Sequence, residues 1–140
     1  MGIFTSMDIS VTGLEANRLR MEVAAANLAN AESSAPDDAS VFRVRRVNLT
    51  EAAPTRTTNF ADLLIPAGVQ SSVVALDRPP RLEMDPDHPD ADAQGMVRYP
   101  QVNIVEEMAE MMAARRAYEA GVTAYAEART MFLKTLELGA

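Results

Sequence analysis

The chain has 140 residues, enough for one ordinary domain, and 20 acidic against 13 basic side chains leave it with a net charge of −7. That sign repels nucleic-acid phosphates and anionic lipid surfaces, which disfavours nucleic-acid binding and general membrane attachment. With no cysteine, disulfides, thiolate metal sites and cysteine nucleophiles are excluded, and no stretch reaches the roughly 18 apolar residues of a spanning helix.

The opening MGIFTSMDIS carries neither a basic residue nor an apolar run of signal-peptide length, so any export is expected to proceed without a cleaved signal peptide. Over residues 8–29, Val11, Leu14, Met21, Ala25 and Leu28 recur at alternating three- and four-residue steps, with Arg18 filling the one polar position. This predicts an amphipathic helix with a heptad seam. Asp8 or Ser10 is the expected N-cap, because a short oxygen side chain accepts from unpaired first-turn amides.

Residues 31–100 hold all eight prolines, which disfavours helix there. The runs 41–49, 69–76, 81–84 and 95–99 are β-like in composition and separated by turn residues. They predict a small β unit with a mobile loop around 51–61.

After Pro100, Asn103 is a candidate cap. Ile104, Met108, Met111, Tyr118, Val122, Tyr125, Phe132 and Leu136 then keep a four-three alternation broken only by Arg115 and Arg129. Such a helix is about 50 Å long against about 33 Å for the first, so the chain alone cannot cover all its apolar surface. The predicted fold is mainly α with a small β-rich middle, the long N- and C-terminal helices pairing as a coiled-coil-like unit. Residues 1–30 plus 101–140 form a discontinuous helical domain, and 31–100 a Pro-rich β or irregular middle.

The seam residues Val11, Leu14, Met21, Leu28, Ile104, Met108, Met111, Tyr118, Val122, Tyr125, Phe132 and Leu136 are the candidate subunit interface. A self-contained helical adapter that binds one partner protein is the alternative. Arg129 is read as a snorkelling side chain, and Arg115 as a candidate register residue within reach of Glu119.

Catalytic and metal chemistry find little purchase. Asp90, Asp92, Gln94, Gly95, Val97 and Gln101 fall on the positions of a calcium loop, but Gln101 stands where a bidentate glutamate is needed. His88, the sole histidine, reads as a turn residue bonded to backbone. Glu106, Glu107 and Glu110 lack a histidine partner for a metal pair and read as a solvated face or as intersubunit ion pairs. Arg43, Arg45 and Arg46 form a basic cluster that could meet acidic neighbours in an assembly. No cofactor is expected.

The motif Asn27-Leu28-Ala29-Asn30-Ala31 resembles the asparagine-rich signature of flagellar rod and hook axial proteins. The block at 85–108, DPDHPDADAQGMVRYPQVNIVEEM, with Asn103, Glu107 and Met108, resembles the lead into the C-terminal helix of the rod members of that family. Residues 128–139, ARTMFLKTLELG, are similar to the helix those proteins share. Where the family has a glycine-containing turn, residues 35–43 read APDDASVFR.

The resemblance implies a non-enzymatic structural subunit of the proximal rod of the bacterial flagellar basal body. Such a subunit is part of the drive shaft that transmits torque and encloses the export channel. Its implied partners are other rod subunits and a basal-body adapter protein, in a periplasmic helical hetero-assembly reached by type III export. The resemblance implies no small-molecule substrate and no membrane insertion.

Overall fold

The computed structural model describes residues 3–52 and 68–138, so from residue 53 on the predicted loop at 51–61 lies outside the described residues. The chain order is α1 (Ile3–Ala29), β1 (Arg45–Glu51), β2 (Val69–Ala75), β3 (Arg81–Met84), β4 (Met96–Tyr99) and α2 (Ile104–Leu138). Two long helices flank a small strand-containing middle, as the sequence predicts.

The expected N-cap of the first helix is wrong. Asp8 and Ser10 lie inside α1, and the Ser10 hydroxyl donates to the Ser6 carbonyl at 2.8 Å. A serine that satisfies itself on the preceding turn lets the helix run through it. Asn103 does cap α2, its Oδ1 accepting from the Val105 and Glu106 amides at 3.2 and 3.3 Å. With 35 residues, α2 is about 52 Å long.

By their contacts the residues form two compact units. The first comprises Met1–Leu19, Asn48–Ser72 and Ala113–Ala140; the second Arg20–Val47 and Val73–Met112. In the first unit Ala16 and Ala114 are buried, and Leu14 packs on Gly121, where a Cβ would stand 2.9 Å from Leu14 Cδ2. Small residues let the helical backbones approach. The start of β2 is tied to α1 by Thr12 Oγ1, which accepts from the Val69 amide at 3.1 Å and donates to the Ile9 carbonyl at 2.8 Å. Gly68, at φ +94°, makes room, since a Cβ there would lie 2.5 Å from the Thr12 oxygen.

The core of the second unit is Ala24, Ala31, Ala35, Val41, Val44 and the fully buried Val97. Strands β3 and β4 pair antiparallel, with Arg81 opposite Tyr99 and Met84 opposite Met96, and Ala35 bridges to Arg98. Val41 and Val44, predicted within a strand, precede β1 and enter the core from irregular chain. The glycine missing from the 35–43 turn is replaced by side-chain chemistry. Asp37 Oδ1 accepts from the Ser40 amide at 2.8 Å and from its hydroxyl at 2.7 Å, and no non-glycine residue among those described has positive φ.

Candidate assembly surface and its polar hub

Each helix buries a face that only partly coincides with its apolar seam. On α1 the buried residues, among those described, are Ala16, Ala24 and Asn27, while Val11 is exposed and Leu14, Met21 and Leu28 are half-buried. On α2 the covered positions are Glu107, Glu110, Met111, Ala114, Tyr118, Gly121, Tyr125, Ala128 and Phe132. Glu110 apart, these again step by three and four, but they share only Met111, Tyr118, Tyr125 and Phe132 with the predicted seam. The remaining half of the seam faces outward: Ile104 is 45% exposed, Met108 48%, Val122 45% and Leu136 55%.

The physical reason is backbone approach. Alanine and glycine at 16, 24, 114 and 121 let the two helices close on one flank of the stripe. The larger aliphatic side chains are thereby left on the other flank. Val105, Met112 and Met131 are also exposed on α2, Met131 on the side of the helix opposite Val122. Arg115 projects away from the chain with 73% of its side chain exposed and pairs with Glu119 at 2.9 Å.

In the second unit the helix pair is closed by polar groups. Asn27 is fully buried, and its amide is saturated. Nδ2 donates to the Arg45 carbonyl at 2.8 Å and to Glu107 Oε2 at 3.0 Å, and Oδ1 accepts from the Arg45 amide at 3.0 Å. One side chain thus exchanges both backbone bonds with Arg45, as a neighbouring strand would, and holds a buried carboxylate with its remaining hydrogen. Only a short carboxamide offers two donors and one acceptor at that reach.

Around this hub Arg20 pairs with Glu110 at 2.8 Å, and Arg46 with Glu106 at 2.8 Å and Glu107 at 3.9 Å. The Arg46 guanidinium, by its hydrogen bond and its charge, holds the Glu106 carboxyl below the usual range. Of the three carboxylates expected on a solvated face or between subunits, Glu106 is exposed, Glu110 half-buried and Glu107 buried, and each is engaged within the chain, because an antiparallel helix neighbour and the end of the 31–47 segment bring Asn27, Arg20 and Arg46 to them. Asn27 and Glu107 each belong to a family motif, but nothing in their separation of 80 residues signals that they meet.

The acidic loop is also internally satisfied. Asp92 Oδ1 accepts from the Gln94 and Met96 amides at 2.9 and 3.0 Å, and Oδ2 pairs with Arg98 at 3.1 Å. The amide bonds, Met96 foremost, and the nearby guanidinium lower the carboxyl's pKa. Asp90 accepts from the Ser34 hydroxyl at 2.5 Å, and Val97 lies in the core. Gly95 takes φ +76° above the Pro86 ring, so it serves this turn. His88 is the predicted turn residue, its Nδ1 accepting from the Asp90 amide at 3.1 Å. Arg45 lies over the Phe42 ring at 5.5 Å.

Comparison with known proteins bears on both helical ends. Residues 7–32 match the family described as Flagella basal body rod protein, and residues 93–138 the family described as Flagellar basal body rod FlgEFG protein C-terminal. These matches place the chain in the class of flagellar axial proteins. A flagellar basal-body rod protein FlgC of Borreliella burgdorferi is 35% identical, over 99% of this chain and 98% of its own. The FlgC proteins of Salmonella typhimurium and Aquifex aeolicus are each 37% identical, covering 99% and 98% of this chain and 99% and 97% of theirs. The chain belongs to the FlgC family of flagellar basal-body rod proteins.

Proposed function

We propose that this chain is a structural, non-enzymatic subunit of the proximal rod of the flagellar basal body, assembled through its terminal helices. Relatives named as rod proteins align with it from end to end, which does not favour the self-contained adapter. The observation that carries the assembly mode is the exposure of the α2 seam, Ile104 and Met108 in the second unit and Val122 and Leu136 in the first. Apolar rows of this kind are covered by partners.

On this reading 1–30 plus 101–140 act as one discontinuous helical domain that joins coiled-coil-like contacts. The candidate interface is Val11, Leu14, Met21 and Leu28 together with the α2 seam. The partners are other rod subunits and a basal-body adapter, in a helical hetero-assembly that transmits torque and encloses the export channel. Residues Asn27 to Asn30, Asn103, Glu107 and Met108 carry the family motifs, with Asn27 and Glu107 closing the helix pair and Asn103 starting α2. Export by the type III route without a cleaved signal peptide suits helix ends that order only when neighbours supply contacts.

Deleting the gene should leave viable cells without filaments; normal swimming would overturn the proposal. In the purified chain, both ends of the helical domain should be protease-sensitive and become protected in isolated basal bodies.

A further inference from the structure

We infer that the outer edge of β3 pairs, antiparallel, with the same edge of a second copy of this chain about a two-fold axis through Leu82. The inference goes beyond the rod-subunit reading and stands or falls apart from it. Strand β3 is paired on one side only, by β4. The far side of β4 is taken by Ala35, whose amide donates to the Arg98 carbonyl at 3.0 Å. All of β3 is exposed, Leu82 by 53% and Met84 by 74%.

The hydrogen bonds around this small sheet fix which backbone groups face outward. In an antiparallel pair, alternate residues turn their amide and carbonyl to the partner strand and the rest turn them away. The Asp85 amide donates to the Gly95 carbonyl at 2.9 Å, which aims residues 81, 83 and 85 at β4. The other parity agrees. Arg98 and Met96, opposite Leu82 and Met84, direct their carbonyls away from β3, to the Ala35 and Asp92 amides, each at 3.0 Å. Leu82 and Met84 therefore hold their amides and carbonyls outward, and among the described residues nothing bonds them.

A strand laid on this edge must match that parity, and Pro80-Arg81-Leu82-Glu83-Met84 matches itself. With Leu82 opposite the second copy's Leu82, each Leu82 amide donates to the other Leu82 carbonyl, and each Met84 amide to the other Pro80 carbonyl. Proline has no amide to leave unpaired there. The two leucines meet on one face of the joined sheet, and on the other each Arg81 stands opposite a Glu83. These side chains are 45% and 50% exposed and already attract each other within the strand at 3.3 Å. Moving the axis one residue either way keeps the parity but sets Arg81 against Arg81 or Glu83 against Glu83, so charge selects a single register. The contact is short, which makes the pair weak and reversible. It also closes on itself, whereas an array propagates through unlike surfaces, so the pair belongs to the subunit outside the rod.

Amide exchange of the purified full chain, read residue by residue by NMR at rising concentration, tests the contact. The Leu82 and Met84 amides should exchange freely in dilute solution and slow by about fivefold in concentrated solution, while the Glu83 amide stays protected throughout. Glu83→Arg sets like charges across the axis and should abolish the slowing. Arg81→Glu with Glu83→Arg exchanges the charges and should restore it. The amide of the fully buried Val97 reports in each variant that the unit is folded. Leu82→Asp, at an exposed side chain, should also abolish the slowing and supplies the test if a charge variant unfolds. Exchange at Leu82 and Met84 that ignores concentration overturns the contact. So does slowing that survives Glu83→Arg, or that fails to return in the folded exchanged pair. None of these results touches the rod reading, which falls if cells lacking the gene swim.

Discussion

Among the described residues, the second unit holds Arg20–Glu110, Arg46–Glu106, Arg81–Glu32 and Arg98–Asp92, together with the buried Asn27 and Glu107 and most of the buried apolar side chains. The first unit buries Ala16 and Ala114, and among the described residues its side chains bond mostly locally, as Ser10 does to Ser6 and Arg115 to Glu119. It also carries Val122, Met131, Leu133 and Leu136 exposed on one helix. The units differ in how their interiors are closed, not in whether they leave apolar area outside: the second adds ion pairs and a buried polar hub, yet Leu82, Met84, Ile104, Val105 and Met108 stand exposed there as well.

The largest effect expected on this contrast comes from Asn27→Ala. It strips the Glu107 carboxylate and both backbone groups of Arg45 of their buried partner, at a cost of about 3 kcal/mol. Hydrogen exchange should then show the Arg45 amide exposed in the variant and protected in the native chain. Asn27→Asp should also destabilise the unit at pH 7, by setting two carboxylates together.

Gly68→Ala should follow, costing about 2 kcal/mol, since it combines a left-handed φ with a clash on Thr12. Limited proteolysis should register the loss in the first unit and leave the second protected.

A smaller effect separates the units by pH. The folded pKa values of Asp37, Asp92 and Glu106 are depressed, chiefly by the Ser40 hydroxyl, the Met96 amide and the Arg46 guanidinium respectively. Their contribution is present above the unfolded values of about 3.9 for Asp and 4.3 for Glu and is lost as pH falls through the folded ones. Exchange rates in the second unit should rise below about pH 4. Equal loosening of the first unit would remove the distinction.

The smallest effects on stability belong to the outer stripe. Val122→Ser should change the unfolding free energy by less than about 0.5 kcal/mol while preventing filament formation. Circular dichroism of the purified chain and filament counts in cells read the two quantities separately. Arg115→Leu should remove an exposed i,i+4 pair worth about 0.3–0.5 kcal/mol; unaltered assembly would leave Arg115 no role in setting register.

Much of the architecture is local and was legible in the residues. The prolines at 36–100 forbid long helix there, β-like composition between turn residues marks the strand runs, and Asn103 caps the helix whose period begins at Ile104. The family motifs could likewise be read as short strings. The start of α1 could not, because Ser10 can cap a helix or bond back to Ser6, and the two choices look alike in one dimension.

What the sequence by itself determined is that two amphipathic helices bracket a Pro-rich middle and carry a stripe wider than the chain can cover. Tertiary structure decided which flank of that stripe is spent internally: helices close where Ala and Gly allow the backbones to approach, and that left Ile104, Met108, Val122 and Leu136 outside. It also decided that Asn27, Arg45 and Glu107 meet. A buried amide finds its partners through the packing of distant segments, and spacing along the chain carries no record of that.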